Sequence, residues 1–188
     1  PQMNKLWASN SPEMLCETYL DKKKRIIRSM PIKGTYKIRK DHKLFDDWMQ
    51  LQSSRKDQAE LFMIADLVRN DLAKALGPKV KVIRDKSPLL VPGLIHQYSH
   101  IEVEGQKQLT LYKLISSLFP GGSVTGAPKK SSLKILQQLE EHKRALYCGS
   151  TLLWWKRHLW GSINIRTALV DINSQTLRYC AGGGVTLL

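Results

Sequence analysis

The 188-residue sequence predicts an α+β domain in which antiparallel strands pack against helices. Three observations carry that expectation. Residues 56–76 repeat apolar side chains with helical spacing: Ala59, Met63 and Leu67 fall at i, i+4 and i+8, and Phe62, Ile64, Ala65, Val68 and Leu72 widen the stripe. Residues 162–170 alternate instead, with Ile163, Ile165, Thr167 and Leu169 on one side, as a half-buried strand requires. Residues 25–30 read as another strand, stopped by Pro31.

After that first strand, Ile32-Lys33-Gly34-Thr35 is expected to turn, since glycine reaches positive φ without penalty. Residues 41–53 follow as a helix through Leu44, Phe45, Trp48, Met49 and Leu51. The helix over 56–76 should end at Gly77-Pro78, with glycine just past the last apolar turn and proline after it. Glu60 shares a side of that helix with Ile64, Leu67 and Asp71, and a carboxylate there would be costly to bury without a cation. Residues 79–106 are less legible: β-prone Val80, Val82 and Ile83 precede what reads as a loop broken by Pro and Gly. A short helix is expected over 109–118, closing at Phe119-Pro120-Gly121-Gly122. Another starts near Pro128 and runs through Leu133, Ile135, Leu136 and Leu139. The strand over 162–170 then turns at Asn173-Ser174-Gln175 into a hairpin with Leu177, Tyr179 and Ala181.

Composition narrows the function classes. Thirty Lys and Arg against sixteen Asp and Glu leave a formal net charge of +14, so an anionic substrate or partner is expected. Residues 21–43 alone hold ten Lys/Arg and two Asp, which reads as the solvated face of a hairpin. No apolar run reaches the roughly 18 residues of a spanning helix, so no membrane partner is expected. Cys16, Cys148 and Cys180 are odd in number and far apart, which suits a reducing, cytoplasmic setting rather than a disulfide framework or a zinc site. The glycine run at 182–184, with four residues after it, suggests a segment that continues in a longer protein.

Three constellations could carry chemistry. Phe119 to Lys130 combines three glycines, Ser123 and Thr125 with a following helix N-terminus, a natural anion cradle to which Lys129 adds charge. The spacing is not that of a Walker loop, and a structural glycine-rich turn reads equally well. Lys33, fixed in its short turn, is a candidate amine nucleophile, although composition alone favours one more solvated lysine. Glu13, Glu60 and Asp66 are carboxylates in an acid-poor chain, suited either to a hard cation such as Mg2+ or to ordinary surface and capping roles.

The order of these segments is distinctive. Ser11-Pro12-Glu13, Pro31-Ile32-Lys33-Gly34-Thr35, Lys56 to Glu60 continuing through Met63 to Leu72, Phe119 to Lys129, and Ile165-Arg166-Thr167 with Ala181-Gly182-Gly183-Gly184 succeed one another along the chain. Together they resemble the chorismate-binding enzymes, which include anthranilate, aminodeoxychorismate, isochorismate and salicylate synthases. The resemblance runs from about residue 6 to the end. It implies antiparallel sheets in a sandwich core with flanking helices, here incomplete at both ends: residues 1–188 would be part of the catalytic domain, without its N-terminal strands and its C-terminal metal-binding helix.

The resemblance also implies a branch and a set of roles. Lysine in the Pro-Ile-x-Gly-Thr segment is the aminodeoxychorismate synthase pattern, where anthranilate synthases usually carry alanine, so Lys33 points to component I of aminodeoxychorismate synthase and the folate pathway. Lys33 would attack chorismate at ring C2 and expel the C4 hydroxyl, and ammonia from a glutamine amidotransferase subunit would enter at C4. Glu13 matches the acid/base position, Glu60 a carboxylate for Mg2+, and Tyr147, Arg166, Thr125, Gly126 and Gly183 the groups that hold substrate. Two positions depart from the family pattern: Val103 stands in place of a histidine, and Leu152 in place of a glycine.

Other readings stay open on the sequence. Anthranilate synthase component I, or another chorismate-using enzyme, would share most of these motifs. A degenerate remnant with exposed sheet edges would keep them all. A basic nucleic-acid-binding domain would explain Lys22-Lys23-Lys24-Arg25, but that segment lacks interleaved aromatics and any groove-reading motif, which speaks against nucleic acid as a partner.

Overall fold

A computed structural model describes residues 4–105 and 109–185. The chain forms β1 (Lys5–Ser9), β2 (Met14–Asp21), β3 (Lys24–Met30), β4 (Ile32–Lys37), α1 (Leu44–Ser53), α2 (Arg55–Leu76), β5 (Lys81–Val91) and β6 (Leu94–Glu104). There follow α3 (Leu111–Leu118), a 3-10 turn at Gly122–Val124, α4 (Lys129–Leu139), β7 (Ser150–Trp155), β8 (His158–Ile163), β9 (Thr167–Asp171) and β10 (Thr176–Tyr179). The α+β expectation is met, with every strand pairing antiparallel. Thr186 to Leu188, the end of the segment after the glycine run, lie outside the described residues. Among the described residues no helix is long and apolar enough to cross a membrane.

The strands form two sheets. β1-β9-β10 make a small one, and β4-β6-β3-β2-β8-β7, with β5 along the other edge of β6, make a seven-stranded one. Helices α2 and α3 cover one face of the larger sheet, where Leu72, Leu76, Leu114 and Leu118 meet Cys16, Ile27, Ile101, Leu159 and Ile163 in the core. Val103 is one of these core residues, 3% exposed, so a histidine-type role is closed to this position and the side chain serves packing instead.

The helices end where their caps dictate. Ser54 Oγ accepts from the Asp57 amide at the start of α2, and the Gly77 amide donates to Ala73 O at its end with Gly77 at φ +90°. Thr110 caps α3 through the Lys113 amide, and Pro128 precedes α4 directly. The apolar residues expected to pack from α4 behave differently: Leu133, Ile135 and Leu139 are exposed, and no residue of that helix is buried.

Three expectations are corrected. Residues 32–35 do not turn the chain but continue it as β4, because Pro31 O takes the Ser99 amide and the strand stays on the same edge of β6. Gly34, at φ +86°, is a bulge in that strand, and a Cβ there would lie 3.0 Å from Asp57, Gln97 and Leu51 atoms. The segment read as an interrupted loop is the β5–β6 hairpin, whose turn uses Gly93 at φ +78°. The alternation over 162–170 hides a break. The Ile163 amide donates to Glu13 O in the large sheet, and Asn164 exchanges backbone bonds with Cys148 and Gly149. The chain then resumes as β9 in the small sheet, and Ala181 lies beyond β10.

Polar contacts lock the first two helices onto β4 and β6. The fully buried Gln97 side chain accepts from Gln52 and Gln58 at 3.1 and 2.8 Å. The buried Asp47 carboxylate accepts from the Arg39 amide and Nε at 2.9 and 3.0 Å. The Asp47 carboxylate and the Gln97 Oε1 are thus hydrogen-bonded, as burial demands, while the Gln97 Nε2 has no partner among the described residues. Leu152 of β7 pairs with Gly161 of β8, and a Cβ on Gly161 would lie 3.0 Å from Leu152 Cδ2. The bulk gained at Leu152 is therefore accommodated by the missing side chain opposite.

Candidate functional site

A cavity of about 580 Å3 opens where the two sheets, α2, the glycine-rich segment and α4 meet. Glu13, Lys33, Glu60, Thr125, Gly126, Tyr147, Arg166 and Gly183 all line it. The fold gathers them from seven separate stretches of chain. Leu152, Val103, His96 and His100 are not among its lining residues. His96 is instead bonded to Thr35 Oγ1 at 2.8 Å, and His100 pairs with Glu102 at 2.9 Å.

Glu13 lies just before β2 and is 7% exposed. Burial pushes its carboxyl pKa up, while the Ser123 hydroxyl and the Lys33 ammonium pull it back in smaller measure. A carboxyl so placed can hold a proton that an exposed glutamate would lose. Lys33 projects from β4, one residue before the Gly34 bulge. Among the described residues no acidic group lies within ion-pair distance of Lys33 or of Arg166. Arg166 owes its exposure to the sheet-to-sheet break, where its carbonyl takes the Asn10 amide at 2.9 Å. Two cations on one cavity, without an ion pair among the described residues, suit an anionic ligand.

Tyr147 sits in the turn between α4 and β7. Partial burial raises its phenol pKa, with the neighbouring Cys148 adding to the effect, so the hydroxyl remains a donor across the neutral range. Its oxygen packs on the glycine run: a Cβ at Gly182 would fall 2.7 Å from Tyr147 Oη, whereas Cβ atoms at Gly183 and Gly184 would meet nothing within 4 Å. Gly183 thus presents bare backbone to the cavity.

The glycine-rich segment works differently from a cradle of free amides. The Val124 amide donates to Gly121 O, the Thr125 and Gly126 amides donate to Gly122 O, and Thr125 Oγ1 donates to Gly121 O at 2.9 Å. The amides of residues 124–126 and the Thr125 hydroxyl are therefore engaged within the turn, which offers a wall of small residues. A Cβ at Gly121 would fall 2.5 Å from Ile163 Cδ1, and one at Gly122 would collide with Leu67, so the turn is pressed against β8 and α2. Lys129 adds no charge to the cavity. Its ammonium is 2.6 Å from Asp71 Oδ2 and donates to Leu118 O at 2.8 Å, closing the C-terminus of α3.

Three further residues belong to the wall: Ser123, Glu140 and Arg144. Glu140 and Arg144 stand four apart, a spacing visible in the sequence but indistinguishable there from a solvated helix end. Their contacts are specific. Arg144 Nε reaches Glu140 Oε2 at 2.8 Å, Nη2 reaches Oε1 at 2.5 Å, and Nη1 donates to Val124 O at 2.6 Å. Glu60 lines the same cavity, its side chain largely shielded from solvent, with Lys56 Nζ 3.8 Å away. Asp66, considered above as an oxygen ligand, is bonded to Arg69 and Asn70 and is not among the lining residues. Among the described residues no three His, Cys, Asp or Glu side chains cluster as a metal cage. Glu60 would be the carboxylate to hold a hard cation that shares its shell with water and ligand oxygens, since both Glu140 oxygens are engaged by Arg144.

A family profile described as chorismate binding enzyme matches residues 3–188. The chain belongs to the chorismate-binding enzyme family. It is 37% identical to aminodeoxychorismate synthase component 1 of Escherichia coli, over 84% of this chain and 35% of that protein. It is 33% identical to anthranilate synthase component 1 of Saccharolobus solfataricus, over 94% of this chain and 41% of that protein. The fold matches the crystal structure of anthranilate synthase component I from Streptococcus pneumoniae with a TM-score of 0.75 and 26% identity, covering 89% of this chain and 36% of that one. It also matches the menaquinone-specific isochorismate synthase of Escherichia coli, TM-score 0.69 at 19% identity, a likeness of fold over 90% of this chain and 38% of that one. The chain therefore spans between a third and a half of the length of these relatives, and the family's fold extends across almost all of it.

Proposed function

We propose that this chain carries the catalytic core of an aminodeoxychorismate synthase component I, acting on chorismate. The observation that supports this reading is Lys33, an amine in the Pro-Ile-Lys-Gly-Thr segment with no ion pair among the described residues, lining the same cavity as a buried glutamate whose carboxyl favours the protonated form. Chorismate carries two carboxylates, and Arg166 suits one of them because a guanidinium fork meets a carboxylate with two parallel bonds. The Tyr147 hydroxyl would donate to the ligand beside it. Once its ammonium has given up a proton, the Lys33 nitrogen would bond to ring C2 as the ring double bonds shift toward C4 and the C4 hydroxyl leaves. Glu13 would protonate that hydroxyl so that it departs as water. Ammonia, drawn from a glutamine amidotransferase subunit, would then bond at C4 while the shift reverses and the Lys33 nitrogen is released. Mg2+ held by Glu60 would supply positive charge against a ring carboxylate.

A second reading, anthranilate synthase component I, draws support from the 33% identity to that enzyme of Saccharolobus solfataricus. Product mass separates the two. The chain would be incubated with chorismate, Mg2+ and ammonium beside its Lys33→Ala variant. Aminodeoxychorismate that disappears in the variant supports the amine mechanism. Anthranilate in its place moves the chain to the other branch, and a folded protein that neither binds nor converts chorismate sinks both.

A further inference from the structure

We infer that Arg144 is a positioning residue that braces the ligand-facing wall of the cavity, holding the glycine-rich turn and the Tyr147 turn in one fixed relation. Its three contacts join parts of the chain that share little else. One guanidinium edge grips Glu140 at the end of α4 through two oxygens, and Nη1 holds the Val124 carbonyl 20 residues back in sequence. The Arg144 carbonyl itself takes the Tyr147 amide at 2.9 Å. The turn that Arg144 grips needs such a tether, because the Val124 and Thr125 amides reach their own acceptors only at 3.3 Å.

The other side of the wall is anchored independently. The Cys148 amide donates to Asn164 O and the Asn164 amide to Gly149 O, at 2.8 and 2.9 Å. Tyr147 therefore hangs between a β-sheet anchor on one side and Arg144 on the other, in a stretch where Ala145 and Cys148 take positive φ angles of 51° and 61°. Non-glycine residues hold such angles only where surrounding contacts impose them. The pairing with Glu140 also neutralises Arg144, which leaves Arg166 and Lys33 as the cations free to meet an anion. Arg144 thus orients the wall and is not itself the group that takes the ligand's charge.

The bracing stands on geometry alone, whereas its effect on chorismate rests on the function proposed above, so the test reads both separately. Hydrogen exchange of the Val124, Thr125 and Gly126 amides would be followed without ligand in the wild-type chain, Arg144→Met and Arg144→Lys. Chorismate affinity would be measured by calorimetry in the same three proteins. Loss of one charge-assisted hydrogen bond corresponds to about tenfold in an opening equilibrium. Arg144→Met should therefore raise exchange at 124–126 by about that factor while α2 amides keep their rates, and Arg144→Lys, which can restore the Val124 contact alone, should fall between. Chorismate binding should weaken in the same order. Unchanged exchange at 124–126 in a folded variant overturns the bracing role, and Arg144→Lys serves that purpose if Arg144→Met does not fold. Raised exchange in a chain that binds no chorismate even as wild type keeps the brace and removes the chorismate reading.

Discussion

Lys129 Nζ lies 2.6 Å from Asp71 Oδ2, and both side chains are largely shielded from solvent. The Lys129 ammonium thus turns away from the cavity and ties the start of α4 to α2. Lys74 approaches the same carboxylate at 3.5 Å from the surface. Removing one member of a buried pair leaves the other charge without its partner, which costs about 3–5 kcal/mol. Asp71→Ala should destabilise the fold by about the lower end of that range in urea unfolding. Lys129→Met should cost less, because Asp71 keeps Lys74 and the thioether chain fills the same space. Equal losses would show that the pair contributes packing rather than charge.

Glu13 gives the stability a pH signature. Its folded pKa is raised by burial above the ordinary 4.5, so the folded state binds the proton more tightly than the unfolded chain does. The stability that this group contributes is full below about pH 4.5 and is lost as pH rises through the folded value. Glu13→Gln removes that loss. The variant should melt at a higher temperature than wild type at pH 7, with the difference shrinking toward pH 4, while turnover of chorismate falls. A melting difference independent of pH would mean that Glu13 is not held in its neutral form.

Gly34 is constrained twice, by φ +86° and by three atoms 3.0 Å from any added Cβ. A left-handed angle costs a side chain roughly 1–2 kcal/mol, and overpacking adds about 1–3. Gly34→Ala should accordingly lower stability by about 2–5 kcal/mol in denaturant titration. Because β4 carries Lys33 next door, the same variant should also lose chorismate turnover by more than its unfolded fraction explains. Wild-type stability would remove the case for a forced bulge.

The two neighbouring glycines of the run should separate cleanly. Gly182→Ala pushes on Tyr147 Oη, whereas Gly183→Ala meets no atom within 4 Å in the free protein. The first should perturb Tyr147 fluorescence in the absence of ligand. The second should leave that signal alone and weaken chorismate binding by about tenfold, the scale of about 1.4 kcal/mol, through contact with the ligand itself. If Gly183→Ala binds chorismate as wild type does, the bare backbone at Gly183 is not a ligand surface.

Much of this could be read before the structure, and the failures have common causes. Helix α2 was legible because twenty-two residues of apolar period and two terminal signals agree. The residues lining the cavity were legible through motif order, not through spacing, since they meet only after seven segments fold together. Period alone misjudged 162–170, where the alternation is continuous although the strand changes partners at Asn164. Local chemistry misjudged Pro31-Ile32-Lys33-Gly34-Thr35, because Pro and Gly punctuate a bulged strand as readily as a turn. Lys129 and Arg144 were beyond sequence reasoning, since a cation reveals its acceptor only in three dimensions. Their partners, Asp71 and the Val124 carbonyl, lie 58 and 20 positions away.

The chain passes between the two sheets twice among the described residues, at 10–13 and at 164–166, and these crossings lie side by side. The Asn10 amide meets Arg166 O, the Ile163 amide meets Glu13 O, and the Ser11 hydroxyl meets Ile163 O. Glu13 and Arg166 sit on these two straps, so the separation of the acid and the cation is set by the paired crossings themselves rather than by the strands on either side.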